Sequence, residues 1–353
     1  MTTDANHLPE LTERQEKILT LIVQEYTNSP EPVGSKYLAE THLATISSAT
    51  IRNEMARLEE LGLLAAPHTS AGRIPTEAGY RYFVRSLMAN PDHDLSAADK
   101  HLIRQDFERT PSDLAMWLRT AATTLARTTR SATMVTAPRA PASYFKHLAL
   151  LATHGRMVMM VLVMQSGDVR QQMFTLAESY TQDHLSAATN KLNTMCAGLD
   201  ADQLQALIPS FESDLEREVF DLVVEALRDL DPLAANAYRG GLSDALFEFP
   251  DSQSAQQAVR LIEGQRGLEP IMDEAAEQPI GEVRVLIAGD GRWEAIRHLS
   301  VVLSRYGVSG RAVGTLIVIG PTRMRYGRAI SAAGYVSGMI TNLMLGVYGV
   351  GEE

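Results

Sequence analysis

Apolar residues near the start of the chain recur at the three- and four-residue spacing of an amphipathic helix. Thr12 is a good N-cap with Gln15 three positions later, and residues 28–32 (NSPEP) interrupt the pattern. The inward positions between them are Ile18, Leu19, Ile22, Val23 and Tyr26. The spacing predicts a first helix that begins after Thr12 and ends before the two prolines.

Two further helices are predicted close behind the first. Ser35 can cap a short helix that runs to about Thr41, and a brief connection leads to a third helix. The third helix begins at a cap on Ser47 or Ser48 and closes near Gly62. Two helices joined by a turn of a few residues are typical of a helix-turn-helix.

The third helix has two different faces. Ile51, Met55 and Leu58 share one side and form the predicted buried stripe. The outward positions are Ala49, Asn53 and Ala56, flanked by Arg52 and Arg57. An amide can read adenine and a guanidinium can reach guanine or phosphate, so this face can read DNA. An ordinary solvated face with Arg–Glu pairs is the alternative at this point.

Residues 63–76 favour the DNA-binding interpretation because they predict a two-stranded wing. Residues 63–66 are strand-like, residues 67–73 (PHTSAGR) form a turn-rich loop, and Ile74 and Pro75 begin the return before Thr76 caps another helix. The predicted tip of the wing carries His68, Thr69, Ser70 and Arg73, which can meet phosphate or a minor groove, and Gly72 allows close backbone approach. A plain exposed hairpin explains this composition less well.

The rest of the chain alternates between strand-like and helical sequence. Residues 90–92 (NPD) mark a boundary after an N-terminal domain of residues 1–88. The second region, 95–175, is helical and then strand-like at 132–136 and 145–174, with a turn at 153–156. The third region, 176–275, is helical and acidic. The last region, 280–353, has strand-like runs at 283–288 and 314–319 and a final helix after Pro321. A sheet that stops and later resumes predicts an inserted subdomain.

Charge limits how DNA can be bound. The whole chain has a formal net charge of −11 at pH 7, which argues against non-specific coating of nucleic acid. Residues 1–90 contain eight Lys and Arg against eleven Asp and Glu, a net charge of −3. One such module should bind DNA modestly, and pairing two modules on an inverted repeat would raise the affinity through effective concentration.

Composition excludes several other classes of protein. The single cysteine, Cys196, excludes internal disulfides and multi-cysteine zinc sites, and a small packed residue explains it better than a reactive thiol. The longest strongly apolar run, residues 157–164, falls short of the roughly 20 residues that span a bilayer, and no signal-peptide pattern opens the chain. A cytoplasmic protein is therefore expected.

Catalysis has no support in the sequence. Residues 289–291 (GDG) follow a strand-like run, but the third glycine of a dinucleotide loop is missing, so a plain turn is the better interpretation. The nine histidines are scattered, and no nucleophile elbow, P-loop or zinc-protease motif occurs. The sequence predicts no enzyme, no cofactor and no metal site.

Several long strings resemble one bacterial family, the heat-inducible transcription repressors (HrcA). They are LTERQ at 11–15, EPVGS at 31–35, SATIRNEM at 48–55, PHTSAGRIPT at 67–76, GV at 307–308, GTL at 314–316 and IGPTRM at 319–324. The resemblance spans nearly the whole chain. The match is weakest in the middle third.

The resemblance implies an α+β multidomain fold. It places a winged helix-turn-helix at 1–88, a GAF-like α/β sheet domain in two parts at 95–175 and 280–353, and an inserted, mainly helical dimerising subdomain at 176–275. It implies a homodimer that represses chaperonin and chaperone operons from an inverted-repeat operator, helped by a GroEL-type chaperonin and relieved by heat. Because GAF domains often bind small molecules, a ligand-sensing regulator is the rival, although no small ligand is expected; an apolar pocket with convergent polar groups would favour the rival.

The helix at 48–61 and the wing are the predicted DNA-binding site. Asn53 and Arg52 are expected to contact bases, and Arg57, Thr50 and Ser48 to contact base edges or phosphate. The wing contacts are expected from His68, Thr69, Ser70, Gly72 and Arg73. The expected partners are double-stranded DNA, a second copy and the chaperonin, in the cytoplasm at the nucleoid and away from membranes.

Overall fold

The N-terminal elements match the predicted order of a winged helix. The computed structural model describes residues 9–68, 72–88, 95–139, 144–165, 167, 169–207, 211, 213–228, 237–249, 251–263, 269–276, 278–287, 296 and 298–348. The first elements are α1 (Glu13–Asn28), α2 (Ser35–Thr41), α3 (Ser48–Glu60), β1 (Leu64–Ala65), β2 (Ile74–Pro75) and α4 (Glu77–Met88). β1 and β2 pair antiparallel and form the wing.

The helix boundaries follow from local capping chemistry. Thr12 and Gln15 form the predicted capping box, in which each side chain bonds the other residue's backbone N–H. Ser47 caps α3, so Ser48 is its first helical residue. One expectation is corrected: Ser35 does not cap α2, because Gly34 occupies the cap position without a side-chain hydrogen bond.

The remaining elements form two compact units. The chain continues through α5 (Ala97–Glu108), α6 (Leu114–Thr129), β3 (Ala132–Thr136), β4 (Phe145–His154), β5 (Met157–Met164), β6 (Val169–Thr175), α7 (Gln182–Cys196), α8 (Ala201–Gln205), α9 (Asp214–Arg228), β7 (Ala237–Gly240), α10 (Leu242–Ala245), α11 (Ser252–Glu263), α12 (Glu269–Ala276), β8 (Val283–Ile287), β9 (Leu299–Val308), β10 (Ala312–Pro321) and α13 (Tyr326–Tyr348). The smaller unit is residues 139–235 with 310–312, and the larger unit is the rest.

The larger unit contains the winged helix and a five-stranded sheet in the order β7-β3-β10-β9-β8. Helices α6 and α13 pack against this sheet. Ser300 and Ser304 on β9 are fully buried, yet each hydroxyl has a partner, the Tyr326 hydroxyl at 2.6 Å and the Ser337 hydroxyl at 3.0 Å. These bonds let a serine-containing strand lie in an apolar core.

The helix α13 is the long apolar helix of this core. By length and composition it could cross a membrane. One of its faces is instead buried in the larger unit, through residues such as Ile330, Ala333, Val336 and Ile340. That placement is typical of a core helix in a globular domain.

The smaller unit is built on a second sheet, in the order β4-β5-β6. Its inner face joins α7 and α9 in one core that includes Leu148, Met160, Leu192 and Phe220. This arrangement differs from the sequence prediction, which continued the central sheet through residues 145–174. β4 to β6 pair only with one another among the described strands, because their inward residues face the helices of this unit.

The extent of the inserted region also differs from the prediction of residues 176–275. The compact smaller unit begins at Arg139 and ends at Ala235, so it includes three strands, while β7, α11 and α12 fold with the larger unit. The chain leaves the five-stranded sheet after β3 and returns in β7, which pairs with β3 through Thr136 opposite Ala237. The insertion therefore enters and leaves between two neighbouring strands.

Candidate DNA-binding interface

The helix α3 is fixed in place by its apolar side. Ile51 and Leu58 are fully buried and Met55 nearly so, which confirms the predicted stripe. Its N-terminus is closed by Ser47, whose hydroxyl accepts the Thr50 N–H at 3.1 Å and lies 2.9 Å from the Thr50 hydroxyl. A rigid first turn suits a reading helix, since residues near the N-terminus of such a helix contact base edges.

The outward side of α3 presents the predicted DNA-reading residues. Ser48, Ala49, Arg52 and Asn53 are exposed. The side chains of Arg52 and Asn53 make no hydrogen bond or ion pair with any residue that the structure describes. Both groups are therefore available to a partner with complementary donors and acceptors.

The three glutamates of α3 are all paired with arginines. Arg14 lies 3.6 Å from Glu54, which also accepts a hydrogen bond from Gln15 at 3.1 Å. Glu59 binds Arg73 and Glu60 lies 3.6 Å from Arg57. The sequence suggested Arg–Glu pairs on this helix only in general terms, and the partners of Glu54 and Glu59 could not be identified because they lie on other segments. Their effect is to offset acidic charge beside the reading face.

Arg57 differs from Arg52 in its surroundings. Its pair with Glu60 is about 70% exposed on both sides, so water screens it and its contribution to stability is small. Arg57 also lies nine residues beyond Ser48, about 13 Å along the helix axis. A position so far from the first turn favours phosphate over a base edge for this guanidinium.

The base of the wing is a tight backbone junction. Val33 and Arg73 exchange two backbone hydrogen bonds, each 2.9 Å, which adds the segment before α2 to the two wing strands. A Cβ on Gly72 would collide with the carbonyl of Val33. The close approach that requires glycine here is therefore internal to the domain.

Arg73 lies at the base of the wing, whereas the sequence predicted it at the tip. Its Nε and Nη2 both bind the same oxygen of Glu59 at 2.8 Å, and its side chain is only 23% exposed. This pair ties the wing to α3. His68 is exposed, whereas Thr69 and Ser70 lie outside the described residues.

Hydrogen bonds also support the helices behind the reading face. The Tyr37 hydroxyl donates to Glu25 at 2.6 Å, and this bond raises the pKa of Tyr37. Burial, followed by a 2.5 Å bond to Glu16, raises the pKa of Tyr82 to about 12. Both phenols stay protonated at neutral pH and act as fixed donors that join α1 to α2 and to α4.

Two family models match most of the chain. The model described as "Winged helix-turn-helix transcription repressor, HrcA DNA-binding" matches residues 10–88, and the model "HrcA protein C terminal domain" matches residues 115–330. The first match covers the winged helix described above. The second covers both the five-stranded sheet and the insertion.

Several relatives match the chain over nearly its full length. The chain is 39% identical to the heat-inducible transcription repressor HrcA of Roseiflexus castenholzii, over 99% of this chain and 97% of the relative. It is 39% identical to that of Chloroflexus aurantiacus, over 96% and 95%, and 36% identical to that of Thermomicrobium roseum, over 95% and 96%. A solved structure of a hypothetical protein is similar in fold, with a TM-score of 0.60 at 21% identity, over 96% of this chain and 99% of that one.

Proposed function

The chain belongs to the heat-inducible transcription repressor (HrcA) family, and from that membership we propose that it acts as a homodimer on an inverted-repeat operator of chaperonin and chaperone operons. It is a DNA-binding transcription repressor and not an enzyme. The observation that carries the operator proposal is the outward face of α3. That face offers Arg52 and Asn53 without internal partners while the acidic residues of the same helix are paired.

In the proposed complex, α3 lies in the major groove with its N-terminus toward the bases. Asn53 and Arg52 contact base edges, and Ser48, Thr50 and Arg57 contact base edges or phosphate. His68, Thr69, Ser70 and Gly72 lie beside the flanking backbone. Glu59 holds the guanidinium of Arg73 at the wing base, and from there Arg73 contacts the flanking phosphate backbone in the proposed complex.

The homodimer proposal rests on the outer face of the β4-β5-β6 sheet, here called the outer sheet face. Its members alternate with the inward core residues and are His147, Ala149, Leu151, Met157, Met159, Val161, Val163, Val169, Gln171, Met173 and Thr175. Leu151, Met157, Val169 and Met173 are each 44–57% exposed. A face with this much exposed apolar surface favours a protein partner.

The outer sheet face suits a second copy of this chain. None of its members is Asp, Glu, Lys or Arg, although the chain as a whole carries −11. Two identical acidic proteins repel each other least where neither presents a charge, and a symmetric dimer brings the same patch together from both sides.

The two edges of the β4-β5-β6 sheet also favour a second copy as the partner. The outer edge of β4 is closed, because Asn193 and Gln182 of α7 bond the backbone of Leu148, Leu150 and Ala152 at 2.7–2.9 Å. The outer edge of β6 pairs with no strand in the described part of the chain. An open edge beside an uncharged apolar face is the side from which a second copy can approach.

Relief of repression is proposed to follow loss of chaperonin support on heating, inside the cytoplasm at the nucleoid. The test is footprinting on the chaperonin promoter of the host, with and without added GroEL-type chaperonin, before and after heating. We expect protection of an inverted repeat that is lost on heating and restored by the chaperonin. Protection of scrambled DNA to the same extent would contradict operator reading, and no effect of chaperonin would contradict its role.

A further inference from the structure

A basic recess lies where the end of α1 meets the end of α6 and the start of α13. It is lined by Thr27, Thr129, Arg130, Ser131, Glu248, Pro321, Arg323, Met324 and Arg325. Three of these residues are arginines and one is acidic. Concentrated positive charge is unusual in a chain that carries −11, so the recess differs from its surroundings.

The three arginines have no internal counter-ion. Nearby, Arg127 pairs with Asp106, and Arg328 lies 2.8 Å from Asp99. By contrast, Arg130, Arg323 and Arg325 form no ion pair with any residue in the described ranges. Arg130 and Arg325 are exposed and Arg323 is half-buried, so an anion from solvent can approach them.

Arg323 also has an unused donor. Its Nη2 donates to the backbone carbonyl of Glu248 at 3.0 Å, whereas its Nε is buried and finds no acceptor in the described part of the chain. A buried donor without an acceptor is costly, which suggests that a ligand or solvent atom completes the site. The first turn of α13 carries no acidic residue, so the positive end of that helix also faces this region uncompensated.

The backbone at Arg130 supports a functional interpretation. Arg130 is the non-glycine residue with positive φ among the described residues, at φ 52° and ψ 38°. Helices commonly end in this conformation, but glycine is the usual residue there. Arg130 lines the recess in this conformation, which costs an arginine more backbone strain than it would cost a glycine.

The recess shares two lining residues with a larger cleft, which is lined by residues of the winged helix and of the sheet domain. Its own volume is about 30 Å³, room for two or three water-sized groups. Pro321 and Arg323 also line the cleft, which has a volume of about 600 Å³ and lies in the range of small-molecule sites. The other cleft residues are Tyr26, Pro30, Pro75, Glu77 and Tyr80 from the winged helix and Phe249, Asp251, Ser254, His298 and Thr322 from the sheet domain.

We propose that this junction binds a small phosphate-bearing molecule, with its phosphate oxygens on Arg130, Arg323 and Arg325 and its body in the cleft. A phosphate carries about −1.5 to −2 at neutral pH, which suits three guanidiniums better than the single charge of a carboxylate. The two acidic cleft residues are already engaged, Glu77 with Arg81 and Asp251 with the N-terminus of α11. These two carboxylates therefore do not compete with the ligand for the three arginines.

Such a ligand would couple to DNA binding through the elements that it touches. Thr27 and Pro30 lie at the end of α1, Pro75 lies in the second wing strand, and Tyr80 lies in α4 with its ring 5.8 Å from that of Tyr326 on α13. A molecule bound between these groups stabilises one placement of the winged helix on the sheet domain. If the placements differ in DNA affinity, binding of the ligand changes the DNA affinity of the protein.

The test uses inorganic phosphate as the probe and thermal unfolding of the full chain as the readout. A saturating phosphate titration should raise Tm by about 2 to 4 °C over chloride at equal ionic strength. The double variant Arg130→Gly and Arg325→Gln should lose this increase, since glycine suits the backbone at position 130. The control double variant Arg109→Gln and Arg119→Gln removes the same charge from exposed positions outside the recess and should keep it.

Two outcomes would overturn the proposal. One is an equal Tm in phosphate and chloride, or an increase that survives in the double variant. The other is a selective loss of promoter-DNA affinity in the Arg130 and Arg325 double variant, measured in phosphate-free buffer. The proposal expects both double variants to bind promoter DNA equally there, and a selective loss would instead assign these arginines to the DNA backbone. Neither Tm comparison depends on operator recognition, so failure here is separable from failure of the repressor proposal.

Discussion

The winged helix presents polar side chains on one helix, whereas the inserted unit presents apolar side chains on one sheet face. In the winged helix, Arg52 and Asn53 stay available because Glu54, Glu59 and Glu60 are paired elsewhere. In the inserted unit, the outer sheet face stays available because it carries no charge. Under the proposed function, the α3 surface would select DNA by hydrogen-bond donors and acceptors, and the outer sheet face would select a second copy by shape and apolar area.

The largest effect is expected from placing charge on the outer sheet face. Leu151→Glu with Met173→Glu puts two carboxylates in one row across the sheet, on either side of Met159. We expect a monomer and a loss of operator affinity of about 100-fold or more, because the second winged helix no longer binds intramolecularly. Light scattering after size exclusion and DNA anisotropy measure both effects.

The matched control for that pair is Ala187→Glu with Asn190→Glu. These residues are exposed on α7 and add the same charge to the same unit away from the outer sheet face. The control should remain dimeric. A dimer that survives in the Leu151 and Met173 variant would exclude this face as the interface.

The next largest effect tests the reading helix. Arg52→Ala should cost about 1 to 3 kcal/mol of operator binding, about 5- to 150-fold, and should lower the preference for operator over scrambled DNA. Anisotropy on both DNAs measures it, with Arg119→Ala as the control. Equal losses on both sequences would mean that Arg52 contacts phosphate only.

A smaller effect is expected at the junction behind the wing. Gly72→Ala brings a Cβ against the Val33 carbonyl and should destabilise the wing by about 1 to 3 kcal/mol. Hydrogen exchange should rise in peptides that contain Val33 and the wing strands. Gly34→Ala is the matched control, because its Cβ meets nothing within 4 Å. Equal exchange in the two variants would contradict a steric requirement at Gly72.

The smallest effect concerns the cap of α3. Ser47→Ala should cost about 1 kcal/mol, because the Thr50 N–H loses its acceptor. Ser48→Ala should leave stability unchanged, since Ser48 is exposed and already helical. Denaturant unfolding of both variants measures the difference. Equal losses would argue that Ser48 shares the capping role.

The winged helix was predictable because its signals are local. The Thr12 capping box, the Ile51-Met55-Leu58 stripe and the wing strands all arise from residues within a few positions of one another. What the sequence did not reveal is long-range. The Val33–Arg73 bridge and the Arg73–Glu59 pair join separate segments, and they give Gly72 and Arg73 internal supporting roles in addition to their proposed DNA contacts.

The sheets were harder to assign because strand pairing is non-local. β4 to β6 have the right composition for strands, but nothing in that composition says which sheet they join. The strands β7 and β9 went unpredicted. β7 is short and ends in glycine, and β9 contains serines whose buried partners, Tyr326 and Ser337, lie on a helix far along the chain.

The pairing of β3 with β7 makes the inserted unit the loop of a very long β-hairpin. Thr136 faces Ala237, so a turn of a few residues at that point would reconnect the sheet without changing its order. Closing a loop of about 100 residues costs only about 3 kcal/mol more than closing one of four. The host sheet should therefore tolerate removal of this unit, and we expect a truncated chain that lacks it to keep the winged helix and, if the outer sheet face is the dimer interface, to be monomeric.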